Sequence, residues 1–172
     1  MARVLEERLT DRTGAGHAHA PWLVRLTSPV HFVLAFVLAA LLQRVLSLPL
    51  PSGQVLLVMQ WAGALLAAAA LLLALCCFAL FALRRTTILP DGRPSALVLR
   101  GPYRFTRNPM YVSLVLSYVG LAGYLVVPWA LVLLPLPLLA LQRVLIPFEE
   151  ARLRREFGSA YEHYCARVRR WL

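Results

Sequence analysis

The sequence contains no lysine, and acidic residues are scarce. All 18 basic residues are arginines, only 8 residues are Asp or Glu, and the formal net charge is +10 at pH 7. An excess of positive charge of this size is typical of proteins that bind nucleic acids or anionic membranes. Because the arginines flank hydrophobic segments, the pattern favours a membrane protein and predicts no nucleic-acid partner.

Cysteine, histidine and glycine are too few or too poorly spaced for several kinds of site. Cys76 and Cys77 are adjacent in an apolar run and Cys165 lies far away, so we expect small packing residues rather than a disulfide framework. The four histidines show no metal-ligand spacing, and we predict no metal. The Gly-x-Gly in TGAGHA lacks the strand before it and the helix after it that a dinucleotide-binding fingerprint needs.

Apolar residues, in contrast, are abundant: they make up 60% of the chain and give a mean hydropathy of +0.67. A helix that crosses a bilayer needs about 20 of them. Proline and glycine clusters divide the apolar sequence into segments. We predict four transmembrane helices, at residues 29–48, 54–83, 111–124 and 127–146, the last one broken by its internal prolines.

The arginines fall on one side of these four segments. Sixteen of the 18 occur in residues 1–28, in the loop between the second and third segments, and in the tail; Arg44 goes against this pattern, and Arg143 lies within the fourth segment. The positive-inside rule places all three parts in the cytoplasm. We therefore predict an all-α integral membrane protein with both termini cytoplasmic. Residues 1–28 would form a mobile arm and residues 29–172 a single membrane-embedded domain, with a bacterial inner membrane favoured by the small size and arginine bias.

The tail, residues 148–172, predicts an amphipathic helix with a bend at Gly158. Such a helix lies along a membrane surface, with its arginines toward anionic headgroups. Glu149 and Glu150 stand at its start, where acidic residues suit a helix N-terminus, and Glu150 can pair with Arg154 at i,i+4. Adjacent helix residues point about 100° apart, so at most one glutamate faces any given site. Periodicity alone does not say which.

The central stretch LRGPYRFTRNPMY, residues 99–111, is the most unusual part of the sequence. It sets three arginines, two prolines, a glycine and two tyrosines between two apolar segments. A passive connector needs only polarity and a turn. The apolar ALVL just before it is too hydrophobic to extend into water, so we expect this region to pack against the protein and to hold a ligand.

Three features occur in order: the stretch LVLRGPYRFTRNPMY, then two apolar segments, then EEARLRREFGSAYEHYCARVRR. In this order they resemble the isoprenylcysteine carboxyl methyltransferase and phospholipid methyltransferase group of integral membrane enzymes. The resemblance covers residues 84–170, and its order and spacing carry it rather than any single piece. It implies methyl transfer from S-adenosylmethionine to a lipophilic acceptor at the cytoplasmic face of a membrane. The central loop and the C-terminal helix would form the cofactor site between them.

The resemblance also implies which residues bind the cofactor. Leu97 and Val98 would line it largely through their backbone, and Glu149 rather than Glu150 matches the family's cofactor-contacting glutamate. The rest of the implied cradle is Tyr103, Asn108, Pro109, Met110 and Tyr111. No catalytic residue is assigned.

Two positions depart from the family pattern. Asn108 replaces a histidine and cannot carry charge. Leu145 replaces a substrate-binding arginine, and Arg143 could substitute for it only if the helix is distorted near Pro147, because two residues rotate by about 200°. The acceptor is therefore left open among a prenylcysteine carboxylate, an amine headgroup and a thiol.

Two other interpretations stay open. Sterol-type reductases also have a GPYR-like loop and use a nicotinamide dinucleotide, although they have more spans and a longer chain. A non-catalytic membrane scaffold would tolerate Asn108 and Leu145. The sequence does not indicate the oligomeric state.

Overall fold

The computed structural model describes residues 28–84 and 97–172, and all regular structure in these ranges is helical. The elements are α1 (Ser28–Val45), α2 (Gly53–Arg84), a 3-10 helix (Gly101–Arg104), α3 (Pro109–Tyr124), α4 (Pro128–Leu133), α5 (Pro135–Ala140), a π-helix (Leu141–Leu145), α6 (Ile146–Phe157) and α7 (Ser159–Arg167). The predicted all-α fold is confirmed for these ranges. The arm predicted over 1–28 lies outside them, apart from Ser28, and stays a prediction.

Two apolar helical stretches are long enough to cross a membrane. They are Gly53–Leu83, with 31 residues, and Pro128–Phe157, with 30. Leu65 of α2 exposes 69% of its surface. Helices that are apolar on every side and still unburied fit lipid better than water. Pro29–Val45 and Pro109–Tyr124 are apolar but shorter, so four crossings remain a prediction.

Glycines bring the backbones of α2 and α3 into contact. A Cβ atom added at Gly120 would lie 2.6 Å from the backbone nitrogen of Ala67 and 2.8 Å from the carbonyl oxygen of Gly63. One added at Gly63 would lie 2.5 Å from the backbone nitrogen of Tyr124. Membrane helices associate by close packing of small residues, because lipid supplies no hydrophobic drive between helices. This contact therefore fixes the position of α3 against α2.

Hydrogen bonds between helix ends define the direction of the helices. The indole N–H of Trp129 donates to the carbonyl of Leu46 at 2.7 Å, and the side-chain amide of Gln60 donates to the carbonyl of Tyr124 at 3.5 Å. The short connections that follow α1 and α3 therefore share one end of the helices. The central segment before α3 and the C-terminal helices lie at the opposite end, together with their arginines.

The fourth apolar segment is more continuous than its prolines predict. Pro135 and Pro137 fall in the first turn of α5, where a residue without an N–H is tolerated, so α5 follows α4 almost directly. The π-helix Leu141–Leu145 then leads into α6, which runs on to Phe157 past the boundary expected for the membrane span. Gly158, at φ +50°, gives the predicted bend before α7.

Gly120→Ala should destabilise the protein, whereas Gly123→Ala should not. The nearest neighbours of a Cβ at Gly123 lie 3.5 Å away, which is ordinary contact. Both changes gain helix propensity of about 1 kcal/mol, so their difference isolates the backbone clash, which we expect to cost about 1–3 kcal/mol. Thermal unfolding in detergent measures it. Equal unfolding midpoints for the two variants would contradict the close approach.

Candidate functional site

The segment before α3 is packed onto α2. Val98 and Tyr103 form a buried cluster with Cys77. Gly101 has φ +61°, and a Cβ there would lie 2.9 Å from a methyl carbon of Leu80. Glycine is favoured at this position by its backbone conformation and by the space available. The 3-10 helix can therefore follow the surface of α2 closely enough to bury the Tyr103 ring.

Tyr103 lies between α2 and the tail. Its ring meets Phe81 edge-on, with 5.8 Å between centroids, and its backbone carbonyl accepts a hydrogen bond from the Tyr164 hydroxyl at 2.8 Å. Burial raises the pKa of the Tyr103 hydroxyl well above its usual value, with smaller contributions from charges that include Glu149 and Tyr111. Burial likewise raises the pKa of Tyr164 to about 12. Both phenols therefore stay neutral at physiological pH.

The residues after α7 return to the segment before α3. The backbone N–H of Arg107 donates to the Arg169 carbonyl at 2.9 Å. The Arg170 carbonyl accepts from the Thr106 hydroxyl and from the Asn108 side-chain amide, both at 3.0 Å. The Thr106 hydroxyl also accepts from the Asn108 backbone N–H at 3.2 Å. Asn108 thus uses its side-chain N–H to bind the tail.

A buried carboxylate holds this junction together. Glu150, 3% exposed, accepts hydrogen bonds from Arg170 at 3.1 Å from Nε and 2.7 Å from Nη2. Arg107 and Arg154 lie 3.4 and 3.8 Å from the same carboxylate. The hydrogen bonds to Glu150 raise the pKa of Arg170, because they favour its charged form. Glu150 therefore joins α6, the segment before α3 and the residues after α7.

Glu149 has a different partner. Its Oε1 accepts a hydrogen bond from the Tyr111 hydroxyl at 2.8 Å. Tyr111 stands in the first turn of α3 and is 9% exposed, while Glu149 is half-buried and near enough to Arg152 for their charges to interact. The expected divergence of the two adjacent glutamates is confirmed: Glu150 faces arginines and Glu149 faces a tyrosine.

Most of the predicted cofactor residues fall in one region. Val98 and Tyr103 share an apolar cluster, Met110 packs against it, and Tyr111 and Glu149 are hydrogen-bonded beside it. The other predicted residues adjoin these in the chain: Leu97, Asn108 and Pro109. Pro109 is fully buried. The region therefore combines an apolar surface, two tyrosines and a carboxylate.

Arg143 stands apart from this group. It is exposed in the π-helix Leu141–Leu145, so the helix distortion that its proposed role requires is present just before Pro147. π-helices are rare and occur often at functional sites. Within residues 28–84 and 97–172, no hydrogen bond or ion pair joins Arg143 to another predicted site residue. Its role in substrate binding stays a prediction.

Sequence reasoning missed the junction around Glu150. The predicted pair with Arg154 exists, but the helix-dipole explanation does not apply, because the π-helix runs directly into α6 and leaves no free N-terminus. The main partners, Arg107 and Arg170, are remote in sequence, and no local pattern pairs them. One signal was available: with 18 arginines and 8 acids, a carboxylate beside an apolar segment can be expected to attract several arginines.

Comparison with known proteins identifies the family. A family model described as Phospholipid methyltransferase matches residues 58–160, more than half of the chain. The chain belongs to the phospholipid methyltransferase family. The match confirms the resemblance and includes the segment before α3 and both glutamates, but not α1 or residues 169–170. Neither the curated proteins nor the solved structures give a significant match.

Glu150→Gln should destabilise this family member by roughly 3 kcal/mol, because it leaves buried positive charge unpaired. Arg107, with 14% of its side chain exposed, cannot recover the loss by hydration, whereas Arg154, at 50%, can. The unfolding free energy measures the effect. Hydrogen exchange at the Arg107 amide should also accelerate, because its bond to Arg169 opens when the tail is released.

Glu156→Gln is the matched control, since Glu156 is exposed on the same helix. It should change neither measurement. An Arg107 amide that still exchanges slowly in Glu150→Gln would show that the backbone and Asn108 contacts hold the tail without the carboxylate.

Proposed function

We propose that this protein transfers a methyl group from S-adenosylmethionine to a lipophilic acceptor, and that the acceptor is the amine headgroup of a phospholipid. The family match supports methyl transfer to a lipid. The hydrogen bond between Tyr111 and Glu149, at 2.8 Å, is the observation that supports the location of the cofactor site. It brings a carboxylate of the C-terminal helices against the residues that lead into α3.

The residues at this position fit the chemistry of the cofactor. S-adenosylmethionine carries an ammonium, a carboxylate, a sulfonium cation and an adenine. Glu149 would pair with the ammonium, and the rings of Tyr103 and Tyr111 would stabilise a cation. The Nε of Arg107 is buried and has no hydrogen-bond partner among the described residues, and the ligand's carboxylate would satisfy it.

The protein's own residues would act by alignment. When bound, S-adenosylmethionine would supply an electrophilic methyl group whose carbon–sulfur bond breaks as the acceptor's lone pair attacks. No covalent enzyme intermediate is needed, so the site has to orient the reactants and exclude water. Tyr111 would hold the Glu149 carboxylate in one orientation. The ion pairs of Glu150 would keep α6 at a fixed position relative to α3.

We also propose four membrane crossings with both termini in the cytoplasm, in a bacterial inner membrane. The central segment and the tail lie at the same end of the helices, opposite the contact between Trp129 and Leu46, and they carry most of the arginines. Positive charge is retained on the cytoplasmic side. A site at that end would receive a water-soluble cofactor from one side and a lipid headgroup from the bilayer.

Calorimetric titration of the detergent-purified protein with S-adenosylmethionine and its demethylated product tests the site. Glu149→Gln should weaken binding about tenfold or more, because a hydrogen bond to a charged group contributes about 1.5–3 kcal/mol. Tyr111→Phe, which removes only the hydroxyl that orients Glu149, should have a smaller effect. Glu156→Gln, exposed on the same helix, serves as the control and should bind as tightly as the wild type.

The same titration separates the competing functions. Tight binding of a nicotinamide dinucleotide that displaces S-adenosylmethionine would indicate a reductase. A folded wild type that binds neither nucleotide would indicate a scaffold. Unchanged affinity in Glu149→Gln would place the cofactor elsewhere in the protein.

A further inference from the structure

One tyrosine hydroxyl is buried in the apolar core. Tyr118 of α3 is 4% exposed, and its hydroxyl makes no hydrogen bond among the described residues. The ring is held edge-on by Phe32 and Phe36 of α1, with centroid distances of 5.5 and 5.3 Å. An unpaired polar group in apolar surroundings is unfavourable. A phenylalanine would keep both ring contacts without burying an unpaired hydroxyl, so the presence of the hydroxyl points to a function.

A second unpaired group lies on the facing helix. Both ring nitrogens of His31, the residue before Phe32, are buried without a hydrogen-bond partner in residues 28–84 and 97–172. Ala35 and Ala39 follow His31 at successive helical turns and are both buried, so this stripe of α1 faces the protein. Polar side chains on α1 and α3 thus contribute unpaired groups to a core that is otherwise apolar.

Tyr118 is aligned with the proposed site of methyl transfer. Tyr111 precedes it by seven residues, which places both on nearly the same face of α3, about 10.5 Å apart along the helix axis. The two rings belong to one core cluster. A lipid that enters along this face with its headgroup beside Tyr111 and Glu149 therefore passes Tyr118 with the part of the molecule that follows the headgroup.

The number of bonds in a phospholipid determines which of its groups reaches the level of Tyr118. An extended chain advances about 3.5 Å for every three bonds, and about nine bonds separate the amine nitrogen of an ethanolamine phospholipid from an ester carbonyl carbon, so the two lie about 10 Å apart. The carbonyl would reach the level of Tyr118. It is a neutral acceptor, whereas an ionised group at this depth would need a buried counter-charge.

We propose that the Tyr118 hydroxyl donates a hydrogen bond to an ester carbonyl of the acceptor and thereby makes the protein selective for diacyl lipids. His31 would supply a second hydrogen-bonding group from the facing helix α1. This assignment rests on the proposed methyl transfer to a phospholipid amine. Tyr118 is a specificity-determining residue in this scheme, since it touches the acceptor far from the reacting atom.

A matched pair of lipids tests the proposal. Initial rates are measured in mixed micelles with methyl-labelled S-adenosylmethionine and either diacyl or dialkyl-ether phosphatidylethanolamine, which differ only in the ester carbonyls. The wild type should show a KM about three- to tenfold lower for the diacyl lipid, as expected for one neutral hydrogen bond. Tyr118→Phe should abolish this preference by raising the KM for the diacyl lipid, with kcat and cofactor affinity unchanged.

Tyr124→Phe is the control, because Tyr124 is 49% exposed near the end of the same helix, and it should retain the preference. Equal KM values for the two lipids in the wild type would overturn the proposal without any mutation, whether or not a variant folds. A preference that survives in Tyr118→Phe would overturn it as well. A wild type that binds the cofactor and methylates neither lipid would overturn it together with the proposed phospholipid acceptor, but not the cofactor site, whereas a wild type that does not bind the cofactor would overturn both proposals.

Discussion

The Glu150 carboxylate is the contact on which the arginine-rich end of the molecule depends. Arg107, Arg154 and Arg170 converge on it within 3.8 Å, and the carboxylate is almost completely buried. Three like charges at this spacing would repel one another, and only an anion between them makes the arrangement favourable. The ion pairs hold the tail against the segment before α3. They also fix the orientation of α6, and with it the position of Glu149, the residue before Glu150.

α3 is held on two opposite faces. On one face, Gly120 allows the α2 backbone to approach directly; on the other, Tyr111 and Tyr118 face α1 and the C-terminal helices. Two residues on a helix are separated by about 200°, so Gly120 and Tyr118 necessarily point to opposite sides. The glycine contact is therefore part of the site's construction. It places the helix that carries the tyrosines at a fixed distance from α2, against which Tyr103 also packs.

The sequence predicted those features that follow from local chemistry. Helix boundaries came from proline and glycine, and the bend came from Gly158. The choice of Glu149 as the site residue needed the family resemblance, because periodicity separates adjacent residues without saying which neighbour each one meets.

Contacts between distant parts of the chain could not be predicted in this way. The bonds from Thr106 and Asn108 to the Arg170 carbonyl span more than 60 residues, and no repeat or spacing encodes them. The π-helix was not predicted: the break that the prolines predicted occurs at Leu134, between α4 and α5, but a second irregularity lies at Leu141–Leu145, where no proline occurs. Packing against neighbouring helices, rather than local propensity, decides such features.

The replacement of a family histidine by Asn108 is explained by the charges around it. The Asn108 amide donates to a backbone carbonyl, a contact that needs an N–H donor but no charge on it. An imidazolium there would add positive charge beside Arg107 and Arg170, which already share one carboxylate. The asparagine preserves the hydrogen bond to the tail without that repulsion. The substitution therefore keeps the contact between the segment before α3 and the tail without adding charge to it.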